Sequence, residues 1–197
     1  ELDFSKLDVV TFSWQKVLGG EGAHGVIILS PRAVERLESY VPPWPMPKIF
    51  RMPSGGKLSA GIFEGETINT PSMLCVEDYL VALKWAKGLG GLKALRARAD
   101  ANAAALDGWI SASPFAKNLS KRPETKSNTS VCFSLAGDEA VPKKMAKLLE
   151  AEGVAFDIGG YRDAPPGLRV WCGATVETSD IKELLPWLDW AYAAATA

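Results

Sequence analysis

Two short apolar segments, Asp8–Trp14 and Gly25–Leu29, flank a loop in which a single lysine, Lys16, is followed by Gly19, Gly20 and Gly22. Both segments are rich in Val, Ile or Phe and too short for helices, so both read as strands. The glycines let main chain approach a ligand closely. A lysine held at such a strand end suits covalent amine chemistry, for example a Schiff base with an aldehyde cofactor. An ordinary loop lysine is simply solvated, and on the residues alone that reading stands beside the first. Gly20, Gly22 and Gly25 spell a G-x-G-x-x-G pattern, but a dinucleotide fingerprint opens a helix, whereas Val26–Leu29 continues as a strand. Lys16 is not a Walker lysine either, because its glycines follow it rather than precede it.

Composition excludes several classes. With 22 basic and 23 acidic residues in 197, there is no electrostatic case for nucleic acid or for an anionic membrane. No apolar run reaches the ~18 residues of a membrane span, and the opening Glu1-Leu-Asp-Phe4 has no signal-peptide pattern. Cys75, Cys132 and Cys172 lie far apart beside one histidine, His24. That set suits neither a disulfide framework nor a zinc site, and it fits buried thiols in a reducing cytoplasm. No metal site is expected.

Farther along, Ser30 caps a short helix that begins at Pro31 and runs to Ser39. Five prolines between Val41 and Pro53 dictate an extended loop, with Trp44 and Phe50 read as packing side chains. Ser54-Gly-Gly56 ends that loop, and Lys57–Thr70 reads as irregular. Pro71 and Ser72 lead into a helix on Met73, Val76, Leu83 and Ala86, interrupted at Gly88–Gly91. A second helix, Leu92–Ile110, carries Leu95, Ala99, Ala103 and Leu106 on one side. Beyond it come a strand at Ser130–Leu135, a helix at Pro142–Glu152, brief strands at Phe156–Ile158 and Leu168–Cys172, and a last helix, Asp180–Ala195, capped by Thr178 or Ser179. This order describes a small α+β unit with helices on one face of an antiparallel or mixed sheet.

Three segments carry a family resemblance. Ser13-Trp-Gln-Lys-Val-Leu-Gly-Gly-Glu-Gly-Ala-His-Gly25 resembles the cofactor-lysine loop of the phosphoserine aminotransferases, fold-type I enzymes of class V that use pyridoxal phosphate. Glu64-Gly-Glu-Thr-Ile-Asn-Thr-Pro-Ser72 and Tyr161-Arg-Asp-Ala-Pro-Pro-Gly-Leu-Arg-Val-Trp-Cys-Gly173 resemble the same family, in the same order. The resemblance implies an α/β fold, with residues 1–90 as the end of the large cofactor-binding domain plus the linking helix, and 91–197 as a small α+β C-terminal domain. Against the family the chain is about half the expected length. It therefore reads as a C-terminal portion lacking most of the large domain, including the family's aspartate partner of the pyridine nitrogen, and its activity alone is in question.

The resemblance also distributes roles. Lys16 is the Schiff-base lysine and proton carrier, and Gln15 contacts the cofactor near its phosphate. Asn69 and Thr70 bind the phosphate of the cofactor in the neighbouring subunit, which implies a homodimer with shared active sites. Amide, hydroxyl and main-chain donors before a helix can surround a dianion, although a plain Thr-Pro helix entry explains these residues equally well. Arg169, on an otherwise apolar strand, reads the substrate α-carboxylate; a structural ion pair or an edge-facing position is the alternative. Arg162 grips the phosphate of phosphoserine or the distal carboxylate of glutamate. Tyr161 stands where many members have histidine, which alters the phosphate contact. His24 reads as a structural or cofactor-adjacent loop residue. Trp85, Trp109, Trp187 and Trp190 read as core or subunit interface.

The implied reaction converts 3-phosphohydroxypyruvate and glutamate to O-phospho-L-serine and 2-oxoglutarate, in serine biosynthesis. The alternatives are another small-substrate fold-type I transaminase, of serine–pyruvate or alanine–glyoxylate type, and a non-catalytic dimerising fragment.

Overall fold

The computed structural model describes every residue except Glu1, Glu21, Ala23 and Ile68. The chain divides into two compact units, Glu1–Trp85 and Ala86–Ala197.

The first unit is built on an antiparallel hairpin. Strand β1 (Val9–Ser13) pairs with β2 (Gly25–Leu29), from Val9 opposite Leu29 to Ser13 opposite Gly25. Gly25 is demanded by this register, since a Cβ there would stand 2.7 Å from the Phe12 carbonyl oxygen. Helix α1 (Pro31–Ser39) follows at once, and the Ser30 hydroxyl accepts from the Ala33 N–H at 3.1 Å as the sequence predicts. Asp8 ties the hairpin to this cap, accepting from the Ser30 hydroxyl at 2.8 Å and from the Arg32 guanidinium. Both groups hold its carboxyl below the ordinary range, Arg32 more strongly than Ser30.

The proline-rich loop departs from expectation. Trp44 and Phe50 are 63% and 65% exposed, not packed. The reason is local: of the buried apolar residues described, only Ala33 and Cys75 belong to this unit, so there is no core for them to enter. A two-residue hairpin, β3 (Pro53–Ser54) with β4 (Lys57–Leu58), turns through Gly55 and Gly56, both at positive φ. It lies partly in the stretch expected to be irregular. Helix α2 (Met73–Leu89) begins where Pro71 and Ser72 place it.

The second unit has a closed core. Helix α3 (Gly91–Ala112) starts after Gly90, at φ 112°. Strands β5 (Ala116–Asn118), β6 (Ser130–Leu135) and β7 (Gly167–Trp171) form an antiparallel sheet in that spatial order. Helices α4 (Val141–Ala151) and α5 (Thr178–Thr196) complete the unit. Period-two alternation sends Val131 and Phe133 of β6, and Leu168 and Val170 of β7, into a cluster with Leu106, Met145, Leu149 and Leu188 from the helices. The opposite face carries Ser130, Cys132, Ser134 and Arg169, with Arg169 opposite Cys132 in the register.

Three expectations need correction here. Phe156–Ile158 is not a strand: Asp157 adopts φ 51°, and only an isolated bridge joins Gly159 to Leu168. A left-handed residue cannot continue a strand. The α5 cap is Glu177 rather than Thr178 or Ser179, and it makes no side-chain cap bond. Thr178 instead donates to the Asn102 side-chain oxygen at 2.6 Å. Between α3 and β6, where the sequence reading places no strand, β5 forms a short edge strand paired through its main chain.

Candidate active site

Lys16 lies in the loop that closes β1–β2, where three main-chain hydrogen bonds fix the path. The Gly19 N–H donates to the Lys16 carbonyl at 3.0 Å, the Gly20 N–H to the Trp14 carbonyl at 3.0 Å, and the Trp14 N–H to the His24 carbonyl at 3.5 Å. Gly19 sits at φ 68°, a conformation glycine adopts without strain. Gly20 is buried, and a Cβ there would stand 3.0 Å from Trp14 Cβ. Trp14 stacks on Tyr79 of α2, ring centroids 4.2 Å apart and nearly parallel, which pins the loop to the helix.

Within this frame the Lys16 side chain is exposed. Gln15 folds back over the loop, so that a Cβ on Gly22 would collide with its side-chain oxygen. His24 accepts at Nε2 from the Ser72 N–H, 3.3 Å away. That contact ties the lysine loop to the entry of α2. Asn69 and Thr70 stand exposed just before that entry, and the Ser72 hydroxyl accepts from the Cys75 N–H at 3.4 Å.

Two buried ring nitrogens here, Trp14 Nε1 and His24 Nδ1, have no hydrogen-bond partner among the described residues. With the Gln15 amide and the exposed Lys16 amine on the same loop, these are groups of the kind a phosphorylated aldehyde needs. The residues present fit pyridoxal phosphate. Among the described residues no cluster of His, Cys, Asp and Glu could hold a metal ion.

The second unit carries the two arginines. Arg169 projects from β7 on the face away from the core, its side chain 24% exposed. Its Nη2 donates to the Asp157 carbonyl at 3.2 Å and to the Asp157 carboxylate at 2.9 Å, while its buried Nε has no hydrogen-bond partner among the described residues. The Tyr161 ring centroid lies 4.6 Å from the guanidinium carbon, and the Tyr161 hydroxyl shares a 3.2 Å hydrogen bond with Ser130. Ser130 first, then Arg169, draws the Tyr161 phenol below its ordinary value. Arg169 is raised in turn, by Tyr161 first and with a smaller contribution from Asp157.

Arg162 is exposed in the turn closed by the Ala164 N–H on the Tyr161 carbonyl, 3.1 Å, and none of the described residues bonds it. No described contact joins Arg162 to Arg169. Thus each unit gathers its own candidates: Gln15, Lys16, Asn69 and Thr70 in the first, Arg162 and Arg169 in the second.

Sequence reasoning passed over two residues. Asn102 is fully buried, and its amide donates to the carbonyls of Val176 at 2.9 Å and of Cys172 and Gly173 at 3.3 Å. It thereby shapes the loop after β7. The signal was present, because Asn102 falls on the same helical stripe as Ala99, Ala103 and Leu106. Asp157 left no such signal. No disulfide joins the three cysteines among the described residues, and burial, reinforced by Asp107, raises the Cys172 thiol to about 12, so it stays protonated.

No protein-family model matches the chain. It is 57% identical over 192 residues to the phosphoserine aminotransferase of Methanosarcina mazei, covering 98% of this chain and 52% of that protein. The Methanosarcina barkeri phosphoserine aminotransferase gives the same figures. A putative phosphoserine aminotransferase of Mycolicibacterium vanbaalenii is 29% identical over 194 residues. The chain spans about half the length of these relatives.

Among solved structures, a phosphoserine aminotransferase of Bacillus circulans subsp. alkalophilus superposes with TM-score 0.73 at 23% identity, over 98% of this chain and 49% of that one. A PLP-bound phosphoserine aminotransferase of Trichomonas vaginalis gives 0.79 at 19%, over 95% and 49%. An alanine–glyoxylate aminotransferase of Nostoc sp. gives 0.73 at 18%, over 94% and 48%. These likenesses establish the fold, the α/β fold type I of the aminotransferases.

Proposed function

We propose, for a chain that is related to the phosphoserine aminotransferases over 98% of its length, a part in pyridoxal phosphate-dependent transamination between phosphoserine and 2-oxoglutarate, in serine biosynthesis. The observation that carries this reading is the setting of Lys16: an exposed amine on a loop fixed at three main-chain points and stacked through Trp14 onto α2. Such a loop presents a nucleophile without letting it wander, the positional requirement of covalent amine chemistry.

When bound, the cofactor supplies an electron sink for a substrate carbanion. The chain's own residues do the rest. Lys16 would hold the cofactor through its Nζ and would move a proton at the substrate α-carbon. Gln15 and the α2 entry offer donors to a phosphate. Asn69 and Thr70 do so for the neighbouring subunit's cofactor, which makes the working form a homodimer. Arg169 orients the substrate by its α-carboxylate, and Arg162 reads the distal phosphate or carboxylate. Three cysteines that form no disulfide among the described residues support a cytoplasmic setting.

The test is transamination of phosphoserine with 2-oxoglutarate by the cofactor-supplemented protein. Lys16→Ala is expected to lower turnover at least ~1000-fold while leaving the fold unchanged, as the loss of a covalent group does. Arg162→Ala separates this reading from an alanine–glyoxylate specificity. Losing a charged hydrogen bond should raise KM for phosphoserine ~10- to 100-fold and hardly alter it for alanine. Equal effects on the two substrates contradict the phosphate assignment.

A further inference from the structure

Arg169 already holds a carboxylate, supplied by its own unit. Asp157 is the one non-glycine residue at positive φ among those described, at 51°. For a residue with a Cβ that conformation is unfavourable, and Asp is among the few that enter it. Its effect is to turn both the carbonyl and the carboxylate of Asp157 onto one nitrogen of Arg169, Nη2, at 3.2 and 2.9 Å. The main chain locks this arrangement, since the Arg169 N–H donates to the Ile158 carbonyl at 2.9 Å. On another side the Tyr161 ring covers the guanidinium, itself anchored through Ser130.

This grip is incomplete by the chemistry of the group. A guanidinium offers a fork of two parallel N–H donors to a carboxylate, and Asp157 engages a single nitrogen while the buried Nε has no hydrogen-bond partner among the described residues. The Asp157 carboxylate is also 92% exposed, so water is ready to receive it, and an ion pair of that exposure holds weakly. A carboxylate able to span two guanidinium nitrogens outcompetes it.

We propose that Asp157 is an internal stand-in for the ligand carboxylate: it positions Arg169 while the site is free and yields to an incoming carboxylate that binds the guanidinium through two nitrogens. The inference deepens the assignment of Arg169 above and rests on it. Asp157 is a positioning residue that keeps the guanidinium pre-aligned under Tyr161. It also sets a threshold, because a ligand offering a single weak acceptor does not displace it. Selectivity for a true carboxylate is the consequence.

The test uses the full 197-residue chain labelled with 15N-arginine. The Arg169 Nε–H resonance is assigned by its loss in Arg169→Lys and followed on titration with glutarate, a dicarboxylate with no amine or carbonyl to react with Lys16. Glutaramide is the neutral control. Glutarate should shift the Arg169 signal and glutaramide should not. Asp157→Asn keeps the main-chain carbonyl and a side chain that tolerates positive φ, and it should bind glutarate about threefold more tightly, the change that loss of an exposed competing ion pair gives. Asp157→Gly, which also keeps the turn, should do the same. A gain in affinity is something structural damage does not produce. Unchanged or weaker affinity in both variants overturns the stand-in and leaves Arg169 as a carboxylate reader. No glutarate-dependent shift of Arg169 in any of the proteins overturns both.

Discussion

The two units solve the same problem, a sheet with an apolar face, in opposite ways. In the second, β6 and β7 bury Val131, Phe133, Leu168 and Val170 under three helices, each at 5% exposure or less. In the first, the β1–β2 hairpin leaves Val9 55%, Phe12 43% and Ile27 43% exposed. The difference teaches where stability and chemistry reside. The well-cored unit can keep Arg169 and its outer sheet face in register by its own packing. The Lys16 loop is ordered by local devices instead: a main-chain network, one aromatic stack and the His24–Ser72 hydrogen bond. A two-stranded hairpin without a covered face is marginal in water, so these local ties carry an unusual share of the positional work.

Hydrogen exchange gives the largest expected contrast. Amides of β6, β7 and α5 should exchange at least ~1000-fold more slowly than those of β1 and β2, because the former open only with the core and the latter open locally. Comparable protection would abolish the distinction. Truncation sharpens it next. Phe133→Ala should cost ~3–5 kcal/mol in denaturant unfolding of the second unit, the usual result for a buried aromatic. Phe12→Ala, at 43% exposure, should cost under ~1 kcal/mol.

Asn102→Ala is expected to fall between them, ~1–3 kcal/mol, since it leaves the Cys172, Gly173 and Val176 carbonyls without their donor. The smallest effect is electrostatic. Arg32 and Ser30 lower the Asp8 carboxyl, so the bond between hairpin and α1 contributes above the ordinary carboxylate pKa of ~4. It is lost as pH falls through the lowered folded value. Exchange of α1 amides should quicken over that acid range in the native chain, and Asp8→Asn should flatten the dependence.

The sequence was legible where local chemistry and burial agree. Ser30 capped α1 and Val131/Phe133 alternated, and both readings describe the structure because side-chain pattern and main-chain geometry point the same way there. Gly90 and Gly91 likewise marked the break between α2 and α3, at φ 112° and 68°. Legibility failed where a main-chain feature leaves no pattern. Strand β5 is three residues held by a neighbour's hydrogen bonds, and the left-handed φ of Asp157, which turns it onto Arg169, follows no periodicity in the sequence. Trp44 and Phe50 misled for a further reason: an aromatic side chain signals packing only when the unit around it has a core. As for the candidate site, the sequence proposes Gln15, Lys16, Asn69, Thr70, Arg162 and Arg169, while the Asp157–Arg169–Tyr161 arrangement is visible only in three dimensions.

The central claim is that Lys16 is the covalent anchor for pyridoxal phosphate. Incubation of the protein with the cofactor, borohydride reduction and peptide mass mapping test it directly. The account predicts a single reduced pyridoxyl adduct on Lys16, absent from Lys16→Ala. An adduct on another lysine in preference to Lys16, or none at all, would contradict it.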